Sequence, residues 1–213
     1  MQLAQQIALG YIKAKLNLLS AISKKRAAAK AFDLFCTPLR KLKKKKPPVF
    51  QKAETLSFIL NGITIRGFRW NHPAKKKFLI IHGFESSSLN FDRFIIPLTR
   101  IGFEVIAFDA QAHGISGGKR VTLPEFVEML RQVNNRYGPV NAYLAHSFGG
   151  LALTQFIETI PHDENMRIVL IAPATETVTA IDSFFRLLKL NDEVKKEFNK
   201  LIFEKGGFPP QHY

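Results

Sequence analysis

Three short stretches of this 213-residue sequence join residues that can do chemistry to residues that let a backbone bend. The most informative is Ala145-His146-Ser147-Phe148-Gly149-Gly150. A serine hydroxyl becomes a nucleophile when a neighbouring group takes its proton, and it then attacks an acyl carbon. For that, the hydroxyl must stand clear of its surroundings. A small-x-Ser-x-Gly turn between a strand and a helix achieves this, because Ala145 and Gly149 let strand and helix pass closely while Ser147 sits on the bend. The helix N-terminus adds positive potential beside it. The pentapeptide alone is a weak signal, so its context carries the weight. The other two stretches are His82-Gly83-Phe84-Glu85 and Asp109-Ala110-Gln111-Ala112-His113-Gly114-Ile115-Ser116-Gly117-Gly118.

The elements around these stretches read as an alternation. Residues 54–60 and 63–70 alternate apolar and polar around Asn61-Gly62, a strong hairpin signal. Residues 77–82 (KFLIIH) and 103–109 (FEVIAFD) are short continuous apolar runs, as strands buried on both faces should be. Between them, 91–101 has helical spacing and stops at Gly102. Thr122 with Glu125 three residues on is a capping box, opening a helix with the face Phe126, Leu130, Val133 and Tyr137 and closing at Gly138-Pro139. Then come a strand at 140–145, a helix at 149–160 halted by Pro161, and a strand at 167–172. A hairpin followed by alternating strands and helices predicts an α/β fold with a mostly parallel sheet and helices on both faces. In such sheets ligands sit beyond the carboxyl ends of the strands, and each of the three stretches follows a strand.

Over residues 54–174 the sequence resembles the α/β-hydrolase superfamily, within it the lid-bearing esterase, lipase and serine-aminopeptidase-like group. The resemblance implies that Ser147 is the nucleophile, acting on an ester or similar acyl substrate without metal or organic cofactor. It also implies that the backbone N–H groups of Phe84 and Phe148 bind the developing oxyanion. Asp109 and the His113-Gly114-x-Ser116-x-Gly118 stretch match a structural loop of the family, so His113 is expected to be scaffold, as are His82 and His146. Glu85 reads as an exposed loop carboxylate.

The family's chain order is Ser, then Asp or Glu, then His. After Ser147 the only histidines are His162 and His212. The first follows the helix behind the serine and the second lies in the tail. Asp182 and Asp192 fall in helix-like stretches at 181–190 and 192–203, which resemble the start of a lid and carry Phe184, Phe185, Phe198 and Phe203. No triad acid or base can be named. The expectation is the N-terminal part of a longer hydrolase, incomplete at the C-terminal end of the fold, ending inside its lid and turning over little by itself. Residues 167–172 would then form an apolar edge strand open to aggregation or pairing. The alternative is a non-catalytic hydrolase-like binding or membrane-associated module.

Composition narrows the remaining classes. A hydrophobic share of 46% with 23% charged residues suits a globular protein, and the single cysteine, Cys36, cannot form an internal disulfide. The net charge of +14 is uneven: residues 1–48 hold 12 Lys/Arg and one acid, leaving 19 and 16 for the rest. Leu3, Ile7, Tyr11, Ala14, Leu18 and Ile22 recur at helical spacing, with Gln2, Gln6, Lys13, Asn17, Ser20 and Lys24 opposite, so residues 1–48 read as a helical extension. A second short helix follows at 25–35, and residues 41–48, lysines closed by two prolines, read as a linker. Three regions result: 1–48, a hydrolase core at 49–174, and the lid start at 175–213. The extension either packs on its own domain or a partner chain, or meets an anionic membrane surface; nucleic acid is a weaker reading. A secretory signal fits poorly, while a transit peptide stays open because 1–32 contain no acid. The expected location is the cytoplasm, with residues 1–48 offering contact to a membrane.

Overall fold

The computed structural model describes residues 3–39, 45–174 and 177–206. Of the expected features, His212 and most of the lysine run lie outside them. The chain divides into two compact units, one formed by residues 37–174 and the other by the segments 1–36 and 175–213.

The first unit is a six-stranded sheet in the order β1-β2-β4-β3-β5-β6. Its strands are β1 (Glu54–Leu60), β2 (Ile63–Trp70), β3 (Lys76–Ile81), β4 (Phe103–Asp109), β5 (Ala142–His146) and β6 (Arg167–Ile171). β1 and β2 form the expected hairpin around Asn61 and Gly62, both at positive φ, which matches the turn to the strand twist. β2 runs antiparallel to β4, and β4, β3, β5 and β6 are mutually parallel. This is the α/β-hydrolase type of sheet expected above.

Three helices within the described residues of this unit face the sheet: α3 (Asp92–Arg100), α4 (Leu123–Tyr137) and α5 (Phe148–Ile157). Alternation along the strands sends Phe78 and Ile80 to one face and Leu79 and Ile81 to the other. The first face packs on Phe91 and Ile95 and on Phe50 from a short 3-10 turn. Phe50 stacks edge-on against Trp70, whose indole N–H donates to Val49 O at 2.9 Å. On the second face Tyr143 meets Phe156 of α5 and Phe108 meets Tyr137 of α4. Both halves of the Thr122–Glu125 capping box form. Glu104 is wholly buried, held by His72 Nδ1 at 2.8 Å and near Arg69 at 3.8 Å. β6 is the outer strand of the sheet, and Ile168, Val169 and Leu170 are exposed along it.

The second unit is helical: α1 (Leu3–Ile22), α2 (Lys24–Phe35), α6 (Val178–Leu188) and α7 (Asp192–Gly206). Ser23 caps α2 by accepting the Arg26 N–H. Ala27, Ala28 and Ala31 keep the face of α2 low, so Phe32, Phe185, Phe198, Ile181 and Val194 close over it in one core. The segments 1–48 and 175–213, read separately in the sequence, thus contribute helices to a shared core. In α1, Leu16 and Ser20 are buried, while Ile7, Tyr11, Leu18 and Ile22, the apolar stripe read in the sequence, are 65–71% exposed. The helix carries a second apolar stripe, Leu9, Ile12, Leu16 and Leu19, and that one faces the core. No helix among the described residues is long and apolar enough to cross a membrane.

Candidate functional site

The register of the parallel strands brings the three chemical stretches to one edge. Ile81 lies beside Phe108 on one side and Ala145 on the other, and His146 beside Ile171. Residues 82, 109, 147 and 172 therefore leave the sheet together at its carboxyl end.

Ser147 stands between β5 and α5 with φ 51° and ψ −124°, so the chain reverses direction at this residue. Its N–H donates to Ile171 O at 3.1 Å, and its carbonyl accepts Gly150 N–H at 2.8 Å and Ala174 N–H at 3.1 Å. The side chain is half-buried. Two glycines make room for the turn. A Cβ on Gly149 would lie 2.3 Å from His82 O, so α5 can touch the end of β3 only without one. A Cβ on Gly83 would lie 3.0 Å from Ser147 Cβ, which places the loop after β3 directly alongside the serine.

The two residues expected to supply oxyanion donors are neighbours in this arrangement. The rings of Phe84 and Phe148 meet edge to face at 5.9 Å. Phe148 is the first residue of α5, so its N–H is among the four that a helix leaves without an internal acceptor.

Behind them lie two neutral histidines. His82 Nδ1–H donates to Gly83 O at 2.7 Å and its Nε2 accepts Ala110 N–H at 2.9 Å. His113 Nδ1–H donates to Gln111 O at 2.8 Å and its Nε2 accepts Glu85 N–H at 3.1 Å. Each ring thus ties one loop to the next and has no nitrogen left for proton transfer. Burial, the largest influence, pulls His82 below the ordinary histidine range against the opposing pull of Asp109. His113 is pushed down to about 4, first by burial and then by His82. Asp109 is equally committed, accepting Ser88 N–H at 2.7 Å and Ile115 N–H at 2.9 Å. The scaffold reading of this loop therefore agrees with its geometry.

Other expected residues fall elsewhere. His162 bonds to Ile160 O and lines a shallow groove with Val140, Asn141 and Met166, beside the amino ends of β5 and β6. Asp182 pairs with Lys195 at 2.6 Å in the helical unit. Phe185 and Phe198 are core residues there, with Phe184 packed against them, so packing accounts for three of the four phenylalanines at 177–206; Phe203 is exposed. Glu85 departs from the exposed-carboxylate reading: it is half-buried at φ 53°, and its carboxylate accepts Leu39 N–H at 2.9 Å. The tie from His113 to Glu85 was also unread in the sequence, since an imidazole acceptor for a backbone 28 residues away leaves no local pattern. Among the described residues no three His, Cys, Asp or Glu side chains gather in a way that could hold a metal ion.

Known proteins carry the same architecture. The family model described as "Serine aminopeptidase, S33" matches residues 72–202, more than half of the chain. An esterase from Pyrococcus furiosus superposes with a TM-score of 0.54 at 21% identity, covering 82% of this chain and 70% of its own. A carboxylesterase from the thaumarchaeon Nitrososphaera gargenis gives 0.53 at 20% identity, covering 62% of this chain and 51% of its own. A thioesterase domain from the curacin biosynthetic pathway gives 0.52 at 21% identity, with 64% and 54% covered. The matched part of the chain thus spans about half the length of the last two. No curated protein matches the chain in sequence.

Proposed function

The chain belongs to the serine aminopeptidase family of α/β-hydrolases, and from that premise we propose that it acts on an ester or a similar acyl compound through Ser147. The observation that carries this reading is the position of Ser147 on a positive-φ turn between β5 and α5, with Gly83 packed beside it. Similar proteins named esterase, carboxylesterase and thioesterase direct the choice of substrate class toward acyl groups.

In the proposed reaction the serine oxygen bonds to the acyl carbon while the carbonyl electron pair moves onto its oxygen. That oxyanion rests on the N–H groups of Phe84 and Phe148. The serine proton passes to a histidine oriented by an acid and then to the departing alkoxide. Neither partner is named among the described residues: His82 and His113 are bound to backbone, His72 to Glu104, His146 at the end of β5 has its ring against Phe91, and His162 lies at the other end of the strands. With neither partner among the described residues, we expect ester hydrolysis no more than ~10³–10⁴-fold above water, the residue left when a triad member is lost.

The same commitment of histidines favours the second reading, a non-catalytic hydrolase-like module. A fluorophosphonate probe separates the two, with the modified peptide located by mass spectrometry. Slow phosphonylation confined to Ser147 and absent from Ser147→Ala supports the nucleophile. No adduct, or an adduct unchanged in Ser147→Ala, overturns it and leaves the binding module.

A further inference from the structure

We propose that the outward stripe of α1 lies on an anionic lipid surface. Ile7, Tyr11, Leu18 and Ile22 are 65–71% exposed, with exposed Ala14 between them. Their spacing places them within one narrow face of the helix, about 22 Å from end to end at ~1.5 Å per residue. This face is not the unpacked side of an ordinary surface helix. The opposite stripe, with Leu16 and Ser20 buried, already satisfies the helix's own core. α1 is therefore apolar twice over, and the second apolar stripe faces solvent.

The charges beside the stripe select its occupant. Lys15 lies along it, its ammonium 5.8 Å from the Tyr11 ring, as a lysine does when its stem covers apolar surface and its head reaches out. Lys25, Arg26 and Lys30 are exposed just beyond the helix end. Lys24 is already engaged by Glu193. No acid occurs before Asp33. A second copy of α1 would bring lysine against lysine with no carboxylate between them, whereas lipid phosphates and carboxylates supply the missing sign. An apolar face about one helix wide, with tyrosine and lysine at its margin, suits immersion of ~5–10 Å at the headgroup boundary.

Co-sedimentation of the full chain with vesicles tests this, using phosphatidylcholine alone and phosphatidylcholine mixed with phosphatidylserine. Binding is expected to the mixed vesicles and to weaken as salt rises. The double variant Tyr11→Gln/Leu18→Gln changes only exposed positions and should bind about tenfold or more weakly, since each buried apolar side chain strengthens transfer substantially. Lys15→Gln should weaken binding severalfold. Unchanged circular dichroism would show that the variants fold. Absence of binding to the mixed vesicles overturns the proposal. So does binding that ignores the double variant, or a concentration-dependent dimer that the double variant abolishes.

Discussion

Acid should loosen the sheet unit through His113. The ring is 3% exposed and sits among His82, Asp109 and the Glu85 amide, with both nitrogens bonded to backbone in the neutral form. Folded, its pKa is pushed down to about 4, whereas the ordinary value is 6.5. A base with a depressed folded value binds its proton first in the unfolded chain. Its neutral burial therefore supports folding fully above the ordinary value, and that support is lost as pH falls from about 6.5 toward 4. Between about pH 7 and pH 5 the unfolded state gains nearly 1.5 pH units of protonation that the folded state refuses, or about 2 kcal/mol at ~1.4 kcal/mol per unit. The comparison is urea unfolding at both pH values of the parent and of His113→Gln, whose amide keeps a donor and an acceptor but cannot charge. Trp70, the single tryptophan, lies in β2 and reports this unit by fluorescence. His82 is present in both proteins, so the difference reports His113 together with its interaction with the His82 ring 5.0 Å away. The parent should lose about 2 kcal/mol more than the variant between the two pH values. Equal losses would refute the assignment of a buried neutral ring.

Gly149→Ala should destabilise by about 1–3 kcal/mol, because its Cβ would meet His82 O at 2.3 Å and Ile81 Cγ2 at 2.9 Å; thermal melting would show it. Thr122→Ala removes the oxygen that accepts Glu125 N–H, and should lower unfolding free energy by about 1 kcal/mol. A larger penalty would mean that Thr122 does more than cap. Arg69→Met leaves the buried Glu104 carboxylate with fewer positive neighbours and should cost about 1–3 kcal/mol in denaturant unfolding. The double variant Arg69→Met/Glu104→Leu should recover part of that loss.

The parts of the molecule that were legible in the sequence are those determined by near neighbours. Asn61-Gly62 can only turn one way between two alternating runs, Thr122 and Glu125 cap each other across three residues, and Ser147 is marked by small residues two positions to either side. The boundaries moved by a residue or two, as at β3, which begins at Lys76 and ends at Ile81. What stayed hidden depends on partners far along the chain. α1 bears two apolar stripes, and periodicity alone cannot tell which one α2 and the C-terminal helices will bury. The joining of Phe32 to Phe198 in one core spans most of the sequence. Glu85 finds the Leu39 amide, and His113 finds Glu85, only once the strands are aligned.

The backbone of Ser147 has a thermodynamic consequence. At φ 51° and ψ −124° a residue with a Cβ is held away from its own minima, a strain of ~1–3 kcal/mol. Domains of ordinary size keep only ~5–15 kcal/mol against unfolding, so this one residue withholds a visible share. The strain persists because other bonds forbid its release: Ile171 O takes the Ser147 N–H, and Ala174 N–H takes the Ser147 carbonyl. Both come from β6 or the chain just after it, at the outer margin of the sheet. The serine is therefore a spring whose latch is β6 and the residues just after it. Breaking these two bonds should let Ser147 relax into an ordinary conformation, so the seating of β6 and the orientation of the hydroxyl are coupled.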